Sequence, residues 1–246
     1  MMGVPKDRVD FVFDKSNTIL GAGDVEYTPE GTDILAAIMG AAWELAALMS
    51  EMLEERRVKP TEDLTSALLH AEVEGEKLTE EEIASFFILL LVAGNETTRN
   101  ALSWALHLLT ENPEQKEILW NDFENLAPKA VEEIVRWASP VIFMRRTVTR
   151  DGVRLGDREF EEGDKLSLYY WAANRDPSVF ENPHQFNILR DSNDHFGYGA
   201  PGPHFCLGAH LARREITVML REIQRLSLIH ISEPTRLLSL AYAVFW

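Results

Sequence analysis

Apolar residues recur with a helical period along most of the chain and with a strand period over one short stretch. Between Thr32 and Arg57 the positions Ile34, Ile38, Ala41, Ala42, Leu45, Leu48 and Leu53 lie near helical spacing, which predicts one long helix capped by Asp33. Arg8 to Leu20 carries a weaker pattern of the same kind and runs into a turn at Gly21-Ala-Gly-Asp24. Pro60-Thr-Glu-Asp63 predicts the start of a shorter helix with Pro60 near its first turn, and Glu72 to Lys77 reads as a charged turn centred on Gly75. Thr79 and Glu82 make a capping box, in which hydroxyl and carboxylate each take the other's backbone amide. No proline follows until Pro113, so a helix of about 30 residues, roughly 45 Å long, is expected. Its middle, Phe86 to Ala93, is apolar all round and predicts burial on every side. Gly94-Asn-Glu-Thr-Thr98 then interrupts it; an acid, hydroxyls and a glycine inside a buried helix are costly unless they line a cavity.

Asn112-Pro113 begins the next helix, and Pro128 separates it from another over Lys129 to Ala138, which carries Glu133 and Arg136 three apart on one face. Ser139-Pro140 ends that helix. The period then changes to two over Phe143–Thr149, Val153–Leu155 and Lys165–Tyr170, divided by Asp151-Gly152 and Glu162-Gly163-Asp164 turns. Asp176 to Asp194 reads as mostly irregular, and a last helix runs from Gly208 to about Arg225. The fold class is mainly α with a small β region. No linker divides the chain, so one domain is expected over residues 1–225.

Charge and composition narrow the function. With 24 basic and 40 acidic residues the net charge is −16, which argues against nucleic acid as a partner. The longest apolar run, Phe86 to Ala93, is too short to span a bilayer, and the first residues hold no hydrophobic signal core. A cytoplasmic protein is expected. The single cysteine excludes an intramolecular disulfide and suits a reducing compartment.

That cysteine carries the candidate chemistry. It ends the loop Gly197-Tyr-Gly-Ala-Pro-Gly-Pro-His-Phe-Cys206 and is followed by Leu207 and Gly208 at a helix start. A lone cysteine is most often a small buried hydrophobe. Here glycines let the backbone approach something flat and bulky, and the helix dipole with its free amides favours a thiolate. A zinc site lacks a second cysteine, and a cysteine hydrolase lacks an orienting group beyond His204. A thiolate ligand on haem iron would push electron density toward bound oxygen and promote O–O cleavage.

With these residues the chain resembles the cytochrome P450 family of haem-thiolate monooxygenases. The segment from Gly202-Pro-His204-Phe-Cys206-Leu-Gly208 into the following helix is similar to that of its bacterial soluble members. Ala93-Gly-Asn-Glu-Thr-Thr98 resembles the oxygen-binding segment of the family's long helix, Glu133-Ile-Val-Arg136 its Glu-x-x-Arg helix, and Ala173-Asn-Arg-Asp-Pro177 with Pro183-His-Gln-Phe186 its meander. The resemblance implies a P450-like fold and haem b (iron protoporphyrin IX) with Cys206 as the iron ligand. It implies that Glu96 and Thr97 relay protons to oxygen, and that Ala93 and Gly94 leave room above the haem. His204 and Arg146 would bind the propionates, with Arg145 a competing choice. Tyr198, Gly199 and Gly208 would shape the cofactor loop, Glu133 and Arg136 would form a structural ion pair, and Val141, Ile142 and Phe143 would line the substrate pocket. Implied partners are O2, an apolar small-molecule substrate, and ferredoxin with ferredoxin reductase delivering electrons from NAD(P)H. Arg213 and Arg214 would meet the ferredoxin. The run from Leu91 onward and Phe186-Asn-Ile-Leu-Arg190 resemble members acting on steroids and methyl-branched lipids, so a steroid or fatty acyl substrate is implied.

Three departures accompany the resemblance. Gly199 stands where much of the family has phenylalanine, and Tyr198 is the nearest aromatic, so the loop is one residue longer. Gln185 stands where an arginine often completes a triad with Glu133 and Arg136. The family's N-terminal half is expected to be missing, and residues 226–236 resemble a translated sequencing adapter, so 226–246 is expected to be an artefactual tail. The alternative to a working monooxygenase is a truncated haem-binding or inactive fragment without turnover.

Overall fold

Side-chain caps set the helix starts in the first part of the chain. In the computed structural model, which describes residues 1–230, the Asp33 carboxylate accepts the Ala36 amide at 3.1 Å and opens α2 (Ile34–Val58). Asp63 does the same for the Ser66 amide at 2.8 Å and opens α3 (Leu64–His70). Pro60 therefore precedes the helix and does not lie in its first turn, because the acid three residues later supplies the stronger N-cap. The capping box forms in both directions, Glu82 N–H to Thr79 Oγ1 at 3.2 Å and Thr79 N–H to Glu82 Oε2 at 2.8 Å. It starts α4 (Glu80–Glu111), a helix of 32 residues.

The described chain falls into two units, residues 1–96 and residues from Thr97 onward. The first contains α1 (Val9–Leu20), α2, α3, a two-residue hairpin of β1 (Glu72–Val73) and β2 (Glu76–Lys77), and the first half of α4. Its core gathers Met49, Met52 and Leu53 of α2 against Ile83 and Phe87 of α4. The apolar run of α4 is not buried on every side. Phe87 is fully buried, whereas Leu89 is 57 % exposed, because this unit packs against one face of the helix only. α2 is long and apolar enough by composition to cross a membrane. Its Leu45, Met49 and Met52 instead lie fully inside protein, and Glu44, Glu51 and Glu54 lie exposed.

The second unit holds the rest of α4, α5 (Pro113–Asn121), α6 (Phe123–Ala138), β3 (Phe143–Thr147), β4 (Val153–Leu155), β5 (Arg158–Phe160), β6 (Lys165–Tyr169), the single turn α7 (Tyr170–Ala173) and α8 (Ala209–His230). β3 pairs antiparallel with β6 in the register Phe143↔Tyr169, and β4 with β5. The core is organised on α6, whose Val131, Ile134 and Val135 pack with Ile216 and Leu220 of α8 and with Leu108 of α4. Pro128 lies inside α6 and does not divide it. An interior proline costs about 3 kcal/mol. Seven buried apolar residues on this one helix outweigh that cost. α6 ends at Ser139, which adopts a left-handed conformation at φ +40° and donates its hydroxyl to the Arg136 carbonyl at 2.8 Å. Residues 231–246, most of the tail expected to be artefactual, lie outside the described residues.

Leu220 and Met219 are neighbours on α8, the first fully buried and the second 46 % exposed. Leu220→Ala should destabilise the chain by about 2–5 kcal/mol in denaturant unfolding. Met219→Ala should change it by less than about 0.5 kcal/mol.

Candidate active site

The best-buried charges in the structure are Glu133 and Arg136, one turn apart on α6 and fully inside protein. Arg136 Nε and Nη2 reach the two Glu133 oxygens at 2.7 and 2.9 Å. Arg136 Nη1 donates to the carbonyls of Asn174 at 2.7 Å and Pro183 at 3.0 Å. The third member of the set is Arg190. Its Nε lies 3.1 Å from Glu133 Oε2, and its other nitrogens donate to the Glu181, Asn182 and Gln185 carbonyls. Gln185 contributes only backbone; the triad is complete, with its arginine five residues further on. Asn187 N–H and Asn193 Nδ2 fill the remaining Glu133 acceptor sites at 2.9 and 3.0 Å. Every lone-pair direction of a buried carboxylate is thereby used, which a buried charge requires.

Asn174 carries this anchor to the cysteine loop. Its Nδ2 donates to Ser139 Oγ at 2.9 Å, and its Oδ1 accepts Phe196 N–H at 2.7 Å. The loop then runs tightly against α6: a Cβ on Gly197 would overlap Val135 Cγ1. Gly199 turns the chain at φ +83°. Cys206 N–H donates to the Tyr198 carbonyl at 2.9 Å, and Ala209 N–H to the Cys206 carbonyl at 3.2 Å as α8 begins. Among the described residues the intervening amides of Leu207 and Gly208 meet no backbone acceptor. Cys206 is exposed, so it is not a small buried hydrophobe of the core.

Glu132, beside Glu133, faces a second group. Arg213 of α8 donates Nε and Nη2 to it at 2.6 and 3.1 Å, and His195 Nε2 lies 3.0 Å away. Burial would raise the Glu132 carboxyl, but hydrogen bonds from His195 and Arg213 and the Arg213 charge hold it at about 2 against an ordinary 4.5. The Arg213 guanidinium lies 4.4 Å over the Tyr198 ring, and burial pushes the Tyr198 hydroxyl well above its usual range. Arg213 is thus committed within the fold, and Arg214 is the exposed member of the pair expected to meet a partner.

The other expected residues occupy separate places. Tyr198, Gly199, His204, Cys206 and Gly208 share the loop, with His204 exposed and Tyr198 turned into the core. Ala93 and Gly94 are exposed on α4; Glu96 and Thr97, a turn further on, are half-buried. Val141 is half-buried, whereas Ile142 and Phe143 are 56 % and 51 % exposed, so they are not core residues of their unit. Arg146 lies exposed on β3, its Nη1 folded onto the Arg145 carbonyl at 3.0 Å. Arg190, Glu132, His195 and Arg213 are the network members that spacing alone did not single out. Two adjacent acids on a strongly amphipathic helix, Glu132 and Glu133, were the signal that more than one ion pair is built there.

A lone cysteine thus stands just before a helix start, on a loop that a buried Glu-x-x-Arg pair anchors. The family model for cytochrome P450 matches residues 31–236, and the chain belongs to that family. It is 49 % identical over 97 % of its length to a methyl-branched lipid omega-hydroxylase of Mycobacterium bovis, covering 55 % of that protein. It is 41 % identical over 91 % of its length to a steroid C26-monooxygenase of Mycolicibacterium smegmatis, covering 50 % of it. Among solved structures it resembles a Mycobacterium marinum cytochrome P450 in complex with pseudoionone, with a TM-score of 0.83 and 38 % identity over 91 % of this chain and 53 % of the other. A Bacillus megaterium cytochrome P450 in complex with corticosterone gives a TM-score of 0.80 and 37 % identity over 91 % and 59 %. The chain spans about half the length of the relatives it matches.

The loop fits the haem that this family implies. The only cysteine is exposed, two amides follow it without backbone acceptors, and Gly202 and Gly208 have nothing within 4 Å of where a Cβ would stand.

Arg190→Ala should cost about 1.5–3 kcal/mol of unfolding free energy, the worth of hydrogen bonds to a charged group. Gln185→Ala should change it by less than about 0.5 kcal/mol. For Glu132 the folded value lies below the unfolded one, so its contribution is present above about pH 4.5 and is lost as pH falls toward 2. The difference in unfolding free energy between the unsubstituted chain and Glu132→Gln should therefore shrink steadily as pH is lowered through that window.

Proposed function

We propose that this chain is the cysteine-bearing part of a soluble, cytoplasmic haem-thiolate monooxygenase acting on an apolar lipid. The observation that carries the reading is Cys206, the single cysteine, exposed just before α8 and followed by two amides that meet no backbone acceptor among the described residues. Those amides are placed to hydrogen-bond a sulfur anion and temper its electron donation. When bound, the haem supplies an iron centre at which O2 is split, one atom entering a C–H bond and the other leaving as water. The balance needs two electrons and two protons. In this reading the electrons come from NAD(P)H through ferredoxin reductase and ferredoxin, with Arg214 among the charges that meet an acidic partner.

The chain's own residues do the rest. Cys206 holds the iron. His204 and Arg146, both exposed, would take the propionates in charge-assisted hydrogen bonds, Arg146 by giving up its contact with the Arg145 carbonyl. Thr97 positions a hydroxyl and Glu96 passes protons inward from solvent; both are half-buried, the degree of burial a relay needs. Ala93 and Gly94 keep the α4 surface low. Val141, Ile142 and Phe143 offer apolar surface to the substrate. The similarity to hydroxylases of methyl-branched lipids and steroids supports a steroid or branched fatty acyl substrate.

The test is the spectrum of the reduced, CO-treated protein after haem loading. A thiolate-type band is expected, and Cys206→Ser should abolish it while haem is still taken up. Thr97→Ala should then lower the fraction of NAD(P)H consumption that ends in product, by up to about a hundredfold for a general acid–base group. An unchanged band in Cys206→Ser defeats the ligand assignment. Haem uptake with full spectrum but no product identifies a haem-binding chain without turnover.

A further inference from the structure

We propose that Glu132 is a positioning residue for Cys206, clamping the chain on both sides of the ligand to helix α6. The proposal rests on the reading of Cys206 as the haem ligand. His195 stands before the cysteine in sequence and Arg213 after it, and both donate to the one carboxylate. His195 has its tautomer fixed by the loop: Gly197 N–H donates to Nδ1 at 3.0 Å, so Nε2 carries the proton given to Glu132. The His195 side chain is only 2 % exposed. On the other side Arg213 makes a two-pronged contact and lays its guanidinium over Tyr198, whose carbonyl receives the Cys206 amide. Cys206 is therefore two contacts from Arg213, and Gly197 is two contacts from Glu132 through His195. A single exposed ion pair would contribute little. Here one carboxylate closes both ends of the loop onto the most buried helix of the unit. Removing it releases His195 with Gly197 and Arg213 with Tyr198 together.

The same arrangement sets the charge around the sulfur. Glu132 fixes where the Arg213 cation sits, over the ring of Tyr198, whose carbonyl takes the Cys206 amide. Outer groups of this kind tune a metal ligand without touching the metal. Loss of the Glu132 charge leaves Arg213 less neutralised and favours the reduced iron.

The experiment compares hydrogen exchange and haem properties in the unsubstituted protein, Glu132→Gln, Glu132→Asp and Arg213→Lys. Exchange needs no haem. In Glu132→Gln the Gly197 and Cys206 amides should exchange roughly tenfold to a hundredfold faster, the factor for loss of a charged hydrogen bond. Ile134 and Val135 in α6 should keep their rates. Glu132→Asp should recover part of the protection, and Arg213→Lys should speed Cys206 more than Gly197. In the haem-loaded protein Glu132→Gln should raise the reduction potential and shrink the thiolate-type share of the CO spectrum, with haem retention roughly tenfold weaker. Unchanged loop exchange overturns the proposal, as does acceleration spread equally over α6. Should Glu132→Gln fail to fold, Arg213→Lys decides on the same amides. Failure of the unsubstituted protein to take up haem counts against the proposed function, while the exchange rates still decide on the clamp.

Discussion

The rest of the second unit depends on keeping the Glu133 carboxylate satisfied where no water reaches it. An ionised carboxylate in a protein interior is tolerated only when its oxygens are filled, and removing one partner of such a pair costs about 3–5 kcal/mol. Arg136 alone cannot meet that demand. Arg190, Asn187 and Asn193 must be brought in from a segment with no regular secondary structure. The irregular stretch is consequently held by charge, where helices and strands elsewhere are held by backbone ladders and apolar packing. Arg136 at the same time fixes carbonyls at Asn174 and Pro183, so one helix turn determines the path of a long excursion.

From that constraint the cysteine loop follows by short steps. Asn174 joins the end of α6 to Phe196, Gly197 lies against Val135 without room for a side chain, and Tyr198 accepts the cysteine amide. The adjacent acid on α6, Glu132, does a parallel task on the solvent side. The two carboxylates divide the work by burial: Glu133 is sealed and makes structure, while Glu132 is partly wet and touches groups on both sides of Cys206 in the chain.

Elements with a strong local signal were legible in the sequence. Asp33, the Thr79–Glu82 capping box, Ser139 and the strands β3 and β6 stand where the spacing of residues puts them, while the pairing of the two strands does not follow from it. Pro128 was misread because local propensity says it breaks a helix, whereas the buried face of α6 decides. Leu89 was misread because an all-apolar run says nothing about which neighbours a unit supplies. In the candidate site the cysteine loop and Glu133 with Arg136 were visible as motifs. Arg190 stood in the Phe186–Arg190 likeness, but its pairing with Glu133 was not legible, because an arginine reaching from an irregular segment across 57 residues has no periodicity to announce its partner. Gln185 held the expected position, and the fold supplied the same charge from another register.

The exposure of Cys206 bears on the chain's chemistry whenever no cofactor shields it. A thiol that stands open to solvent is accessible to oxidants, and the chain holds no second cysteine to resolve a sulfenic acid into an internal disulfide. Within these residues a disulfide can therefore form only with an outside thiol such as glutathione or a second molecule of the same chain. A cofactor seated on this loop would cover the same thiol, so that loading and protection from oxidation would be one event.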